Sequence, residues 1–335
     1  MKQNMVELLK KAAQSESKRA FPILSFPAAQ KIGADVGELV RNPSLQADAI
    51  EKVAKETETV AAISLMDLSV EAEAFGAGVK FLPDEVPAVT GVLVSDEKAA
   101  DNLKVPSLSE GRAGVCIEGI RLAEQRIKDK PVVAGMIGPY SLAGRLMDVT
   151  EIMYMCYDEP ETVHKVLEKA TQYLTEYAKA FKGAGASGIL MAEPLAGIMS
   201  PDMAGEFSVP YVKKIIDAVQ DENFAIIYHN CGNAVYEMAE EIFSQGAAAY
   251  HFGNAVDMEK MLSKAPSDVI CMGNIDPVAE FCEGTEESMK KAVDDLLSKC
   301  AKYKNFVISS GCDIPHHANW KNIDAFFKAV KEWKK

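Results

Sequence analysis

The chain has 335 residues, 48% of them hydrophobic and 25% charged, which is enough apolar material for a large core. The formal net charge of −13 argues against a nucleic-acid partner, because phosphate contacts need clustered Lys and Arg. Met1-Lys2-Gln3-Asn4 leads into a charged helical pattern rather than an apolar signal core. No run is long enough to span a membrane, and the seven cysteines lack a disulfide-like spacing. A reducing cytoplasm is the expected location.

In chain order, residues 1–20 read as a helical N-terminal extension. Short apolar runs follow at 21–25, 61–66, 132–137, 188–192, 224–228, 247–251, 269–272 and 306–309. These are eight predicted strands, separated by segments with apolar residues at helical spacing. Residues 68–131 form a long insertion after the second strand. It carries Gly76-Ala77-Gly78 and several prolines, and is expected to fold over one end of the sheet. The clearest helix is predicted over 160–182, with Val163, Val166, Leu167, Ala170, Leu174, Tyr177 and Phe181 on one stripe. Asp158 suits its cap, Pro160 its first turn and Gly183 its stop, and His164 reads as a solvated helical histidine. Gly183-Ala184-Gly185-Ala186-Ser187-Gly188 matches G-x-G-x-x-G. It follows a helix and precedes a strand, the reverse of the dinucleotide-binding order, so it reads as a helix stop and loop.

Eight strand–helix alternations predict an α/β fold, a (β/α)8 TIM barrel forming a single domain over 1–335; an open doubly wound sheet is the alternative. Two motifs stand at strand ends. His229 and Cys231 lie in His229-Asn230-Cys231-Gly232-Asn233, and Cys312 lies in Ser309-Ser310-Gly311-Cys312-Asp313. A barrel would bring both to its C-terminal mouth, where active sites of this fold lie. Imidazole and thiolate are preferred zinc ligands, and three of them leave a fourth position open. On the residues alone, a zinc site and three unligated buried side chains are equally good readings.

Other polar residues follow strands too. Glu193 is a candidate fourth ligand or a loop carboxylate, and His251 a candidate catalytic residue or a hydrogen-bonded neighbour. Asp67 and Asp276 are candidates for holding a cofactor, and Asp67 also for catalysis. His316 and His317 are candidate extra ligands, although adjacent residues seldom point the same way. Cys116, Cys156, Cys271, Cys282 and Cys300 read as small buried apolar residues, and Met66, Met136, Met191 and Met272 as core.

Longer stretches carry a family likeness: Asp67-Leu68-Ser69-Val70-Glu71-Ala72-Glu73-Ala74-Phe75-Gly76, His229-Asn230-Cys231-Gly232, Gly273-Asn274-Ile275-Asp276-Pro277 and Gly311-Cys312-Asp313-Ile314-Pro315. With these, the chain resembles the uroporphyrinogen decarboxylase superfamily over nearly its whole length, and within it the methylcobamide:coenzyme M methyltransferases. Asp67 matches the decarboxylase's pyrrole-binding aspartate. The decarboxylase's arginine-rich segment is replaced here by Ser25-Phe26-Pro27-Ala28-Ala29-Gln30-Lys31, and its Gly-His-Gly by Gly311-Cys312-Asp313. A substrate with many carboxylates needs a basic clamp, and the chain has six arginines in all.

The resemblance implies a (β/α)8 barrel and zinc on His229, Cys231 and Cys312, with Glu193 filling the open position until a thiol arrives. It implies methyl transfer from a methylated corrinoid (methylcobamide), delivered by a separate corrinoid protein, to a thiol such as coenzyme M by way of a zinc-bound thiolate. The alternatives are a metal-free decarboxylase, a zinc hydrolase, and a non-catalytic zinc- or corrinoid-binding protein.

Overall fold

The computed structural model describes residues 4–334. In chain order its strands are β1 (Ala62–Ile63), β2 (Gly78–Leu82), β3 (Glu85–Thr90), β4 (Val132–Ile137), β5 (Gly188–Ala192), β6 (Ala225–Asn230), β7 (Ala249–Phe252), β8 (Ile270–Ile275) and β9 (Phe306–Ser310). Seven of them form one parallel sheet in the order β1-β4-β5-β6-β7-β8-β9. Each strand pairs with the next sheet strand in sequence, so every chain segment leaves the sheet at the same end. β2 and β3 form a separate antiparallel hairpin inside the insertion.

The sheet curls, and residues 20–21 lie between its two edge strands. The Val60 N–H donates to the Ala20 carbonyl at 2.9 Å, and the Phe21 N–H to the Ile308 carbonyl at 3.1 Å. The strand predicted at 21–25 is not formed; a single parallel bridge joins Ala20 to Ile308. The chemistry of the segment explains this. Pro22 has no N–H to give a ladder, and serine hydroxyls take the ladder's place: Ile23 N–H donates to Ser310 Oγ at 3.0 Å, and Ser309 Oγ donates to the Phe21 carbonyl at 2.6 Å.

Alternate residues of each strand serve two cores. Ile63, Val133, Leu190, Ile227, Ala249, Ile270, Met272 and Val307 belong to an inner cluster. Their neighbours Ala62, Val132, Ile189, Ile226, Tyr250, Cys271 and Ile308 belong to the larger cluster shared with the surrounding helices. This is the period-two rule applied to a sheet buried on both faces. The helix Met5–Gln14 adds Met5, Leu8, Leu9, Ala12 and Ala13 to the inner cluster, so the N-terminal extension closes the inner core.

The long helix runs Pro160–Ala184 and buries the predicted stripe. It stops at Gly185, with φ of 113°, two residues beyond the expected Gly183. Asp158 ends the preceding helix and does not cap this one, whose N-cap is Glu159. His164 is not simply solvated: its ring stacks on Phe207 at 4.8 Å and its Nδ1 meets Tyr211 Oη at 2.7 Å. The insertion bonds to the segments before and after it. Val36 N–H bonds to the Pro83 carbonyl of the hairpin, and Val94 N–H to the Leu146 carbonyl. Among the described residues, no helix is long and apolar enough to cross a membrane.

Candidate metal centre

His229 is the fifth residue of β6, Cys231 follows that strand directly, and Cys312 lies two residues beyond β9. The parallel arrangement puts all three at the C-terminal edge of the sheet. Their ligand atoms lie within 4.8 Å of one another. Among the described residues this is the one group of three or more His, Cys, Asp or Glu side chains able to hold an ion. Cys312 Sγ is 3.6 Å from His229 Nε2, close to the separation of roughly 3.4–3.8 Å expected between N and S donors on tetrahedral zinc. His229 is 2% exposed, whereas both thiols are half-buried, so the group has a protected base and an accessible rim. The hydrogen bond from Cys312 pushes the Cys231 thiol below its ordinary range, and Cys312 rises in return.

The position of Cys231 is set by close backbone packing. A Cβ on Gly253 would lie 2.6 Å from Cys231 Cα and 2.7 Å from its Cβ. Gly232 and Gly197 touch backbone to backbone, and neither position has room for a side chain. Asn230 Oδ1 accepts the Gly232 N–H at 2.9 Å, and Asn230 Nδ2 donates to Tyr228 Oη at 3.1 Å. Deeper in the sheet, His229 Nδ1 lies 2.9 Å from His251 Nδ1, and His251 Nε2 lies 2.7 Å from Ser309 Oγ. His251 thus contacts the group from behind.

Glu193 is fully buried beside Gly138 but stands outside the donor group. Its two oxygens accept the N–H groups of Tyr140 at 3.0 Å and Ser141 at 2.6 Å, capping the helix Pro139–Met147. Burial pushes its carboxyl up to about 7, against the lowering pull of those bonds. Asp67 is also engaged. Its Oδ1 accepts Ser69 N–H and Oγ–H, and its Oδ2 pairs with Arg112. Asp276 Oδ1 accepts the N–H groups of Val278 and Ala279, and its Oδ2 accepts Asn254 Nδ2 at 2.7 Å. His316 and His317 lie edge to face with each other, outside the donor group. The other five cysteines are free thiols: Cys156, Cys271 and Cys300 are buried, and Cys116 and Cys282 are half-buried.

The sequence pattern of the uroporphyrinogen decarboxylase (URO-D) family matches residues 11–333. The chain belongs to that family. Among curated URO-D relatives, it is 29% identical over 272 residues to the methylcobamide:CoM methyltransferase MtbA of Methanosarcina acetivorans, covering 80% of this chain and 78% of that protein. It is 27% identical over 295 residues to the uroporphyrinogen decarboxylase of Desulfotalea psychrophila, covering 85% and 84%. Among solved structures, a methyltransferase from Methanosarcina mazei superposes with a TM-score of 0.86 over 97% of both chains at 24% identity, which establishes a shared fold.

Two parts of this URO-D site are not evident from its motifs. Arg112 is one of six arginines and has no motif of its own. It is 6% exposed and joins Asp67, Glu73 (2.6 Å) and Ser69 (2.8 Å). A buried aspartate after a strand needs such a cation, but sequence spacing does not say which. Ser309 was a more accessible signal. It stands two residues beyond Val307, as His251 stands two beyond Ala249 and His229 two beyond Ile227, and all three follow the inner row of their strands.

Proposed function

We propose that this URO-D family chain is a zinc-dependent methyltransferase that moves a methyl group from a methylated corrinoid, presented by a corrinoid protein, to a small thiol such as coenzyme M. The observation that carries this reading is the convergence of one imidazole and two thiols at the C-terminal edge of the sheet. The donor set fits zinc: soft, mixed N/S, three-membered, and half-open on the thiol side. Bound there, zinc would lower the proton affinity of an incoming thiol and hold it as a nucleophile. The likeness to MtbA supports the reaction class.

The chain's own residues supply the rest. His229, Cys231 and Cys312 would hold the ion. Glu193 and Asp67, both engaged with backbone or with Arg112, keep the walls of the mouth in place, and Asp276 anchors the turn after β8. We further read the extended segment 20–25 as the eighth stave of a closed (β/α)8 barrel, supported by its bonds to Val60 and Ile308. A decarboxylase handling a polycarboxylate would need free cations at the mouth, but Arg112 is already committed to Asp67 and Glu73.

The test is zinc per chain in purified protein, wild type beside Cys312→Ala, followed by thiol-dependent demethylation of methylcobalamin. One zinc in wild type, lost or weakly held in the variant, is the expected result. Absence of zinc from wild type after reconstitution under reducing conditions would overturn the proposal.

A further inference from the structure

Three contacts behind His229 determine which of its nitrogens faces the thiols. Ser309 Oγ lies 2.6 Å from the Phe21 carbonyl oxygen. Two oxygens at that distance share a hydrogen, and only the hydroxyl has one, so Ser309 donates to Phe21. Its lone pairs are then left for His251 Nε2, 2.7 Å away, and that nitrogen must carry a hydrogen. His251 is 0% exposed, and among the described residues no carboxylate is hydrogen-bonded to it. A buried imidazole without a counter-charge is neutral, so its Nδ1 is a bare acceptor. His229 Nδ1, 2.9 Å away, must supply the one proton this contact holds. His229 Nε2 is left with a lone pair facing Cys312 Sγ.

We propose that Ser309 and His251 are positioning residues that lock His229 in its Nδ1–H tautomer and so present Nε2 as a ready metal donor. This rests on the zinc reading above, although the tautomer itself exists without the ion. A metal-bound histidine usually donates its second N–H to a carboxylate or a carbonyl. Here the acceptor is a second imidazole, oriented by a hydroxyl that is itself oriented by the main chain of segment 20–25. A free histidine ring favours the proton on Nε2, where the ion would have to bind. The relay removes that competition in advance.

Selective 15N-histidine labelling with two-bond 1H–15N correlation spectra tests this on the metal-free protein. The chain has five histidines, and His229→Gln assigns the relevant one. The Nδ1–H pattern is expected for His229 in wild type. Ser309→Ala and His251→Phe should shift it towards Nε2–H and weaken zinc binding, read by chelator competition, by about 10- to 100-fold. His251→Asn, whose side-chain oxygen can accept in place of Nδ1, should restore most of that affinity. An Nε2–H pattern in wild type overturns the proposal, and this arm needs no folded variant. Zinc affinity within about threefold of wild type in folded His251→Phe overturns it as well. Failure of the zinc reading looks different: wild type would hold no zinc while His229 still showed the Nδ1–H pattern.

Discussion

At the scale of single residues, the buried carboxylates divide by how their oxygens are used. Both oxygens of Glu193 accept backbone N–H groups. Glu71, on the helix Val70–Ala74, is 1% exposed and accepts from Ile137 N–H through one oxygen at 3.1 Å, while its other oxygen meets no partner. Burial pushes the Glu71 carboxyl up to about 7 from an ordinary 4.5. The folded protein therefore holds this proton more tightly than the unfolded chain. Its contribution to stability is complete below pH 4.5 and is lost as pH rises through 7. Glu71→Gln removes the ionisation. The variant should match wild type near pH 4 and exceed it at pH 8 by up to about 3 kcal/mol. Urea unfolding at the two pH values measures this, and an equal difference at both would sink it.

At the scale of elements, the position of Cys231 depends on glycines from two neighbouring loops. Gly253→Ala would place a methyl group against Cys231 Cα and Cβ. The expected outcome is a loss of about 1–3 kcal/mol from overpacking and, because Cys231 is displaced, zinc affinity lowered by about tenfold or more. Unchanged zinc affinity, measured by chelator competition, would show that the loop yields without moving the thiol. The strands that carry the site were legible because each is a short apolar run ended by a polar residue. His229, Cys231 and Cys312 were therefore readable at strand ends, as was His251, whose pairing with His229 comes from the β6–β7 register. The segment at 21–25 misled because its apolar pattern is that of a strand, whereas its bonding is set by Pro22 and by serines almost 290 residues away. For Glu193 the sequence shows a carboxylate after a strand but not the two backbone amides whose hydrogens its oxygens accept.

At the scale of the whole molecule, the insertion is held together, and tied to the loop after β1, through Arg112. Its guanidinium bonds to Asp67, Ser69 and Glu73 and lies over the ring of Phe81 on the hairpin, 4.8 Å from the centroid. Arg112→Met would leave two carboxylates without their cation and should cost about 3–5 kcal/mol. Arg112→Lys should recover little, because one ammonium cannot reproduce the planar fork. Limited proteolysis should then cut first within 68–131. A change in unfolding free energy below about 1 kcal/mol would mean that the cluster is no stronger than a surface pair.

The contact between Phe21 and Ser309 spans 288 positions of sequence. Contacts of such separation carry the largest loop-closure cost and tend to form late. The donor group inherits that timing. Cys312 enters only with the residues after β9, and the orientation of His229 waits on Ser309 meeting the first segment. During synthesis, a chain with only its first three hundred residues extruded has His229 and Cys231 but neither Cys312 nor the seam. On the proposed zinc reading, capture of the ion by all three donors would report that the two edges of the sheet have been joined through residues 20–25.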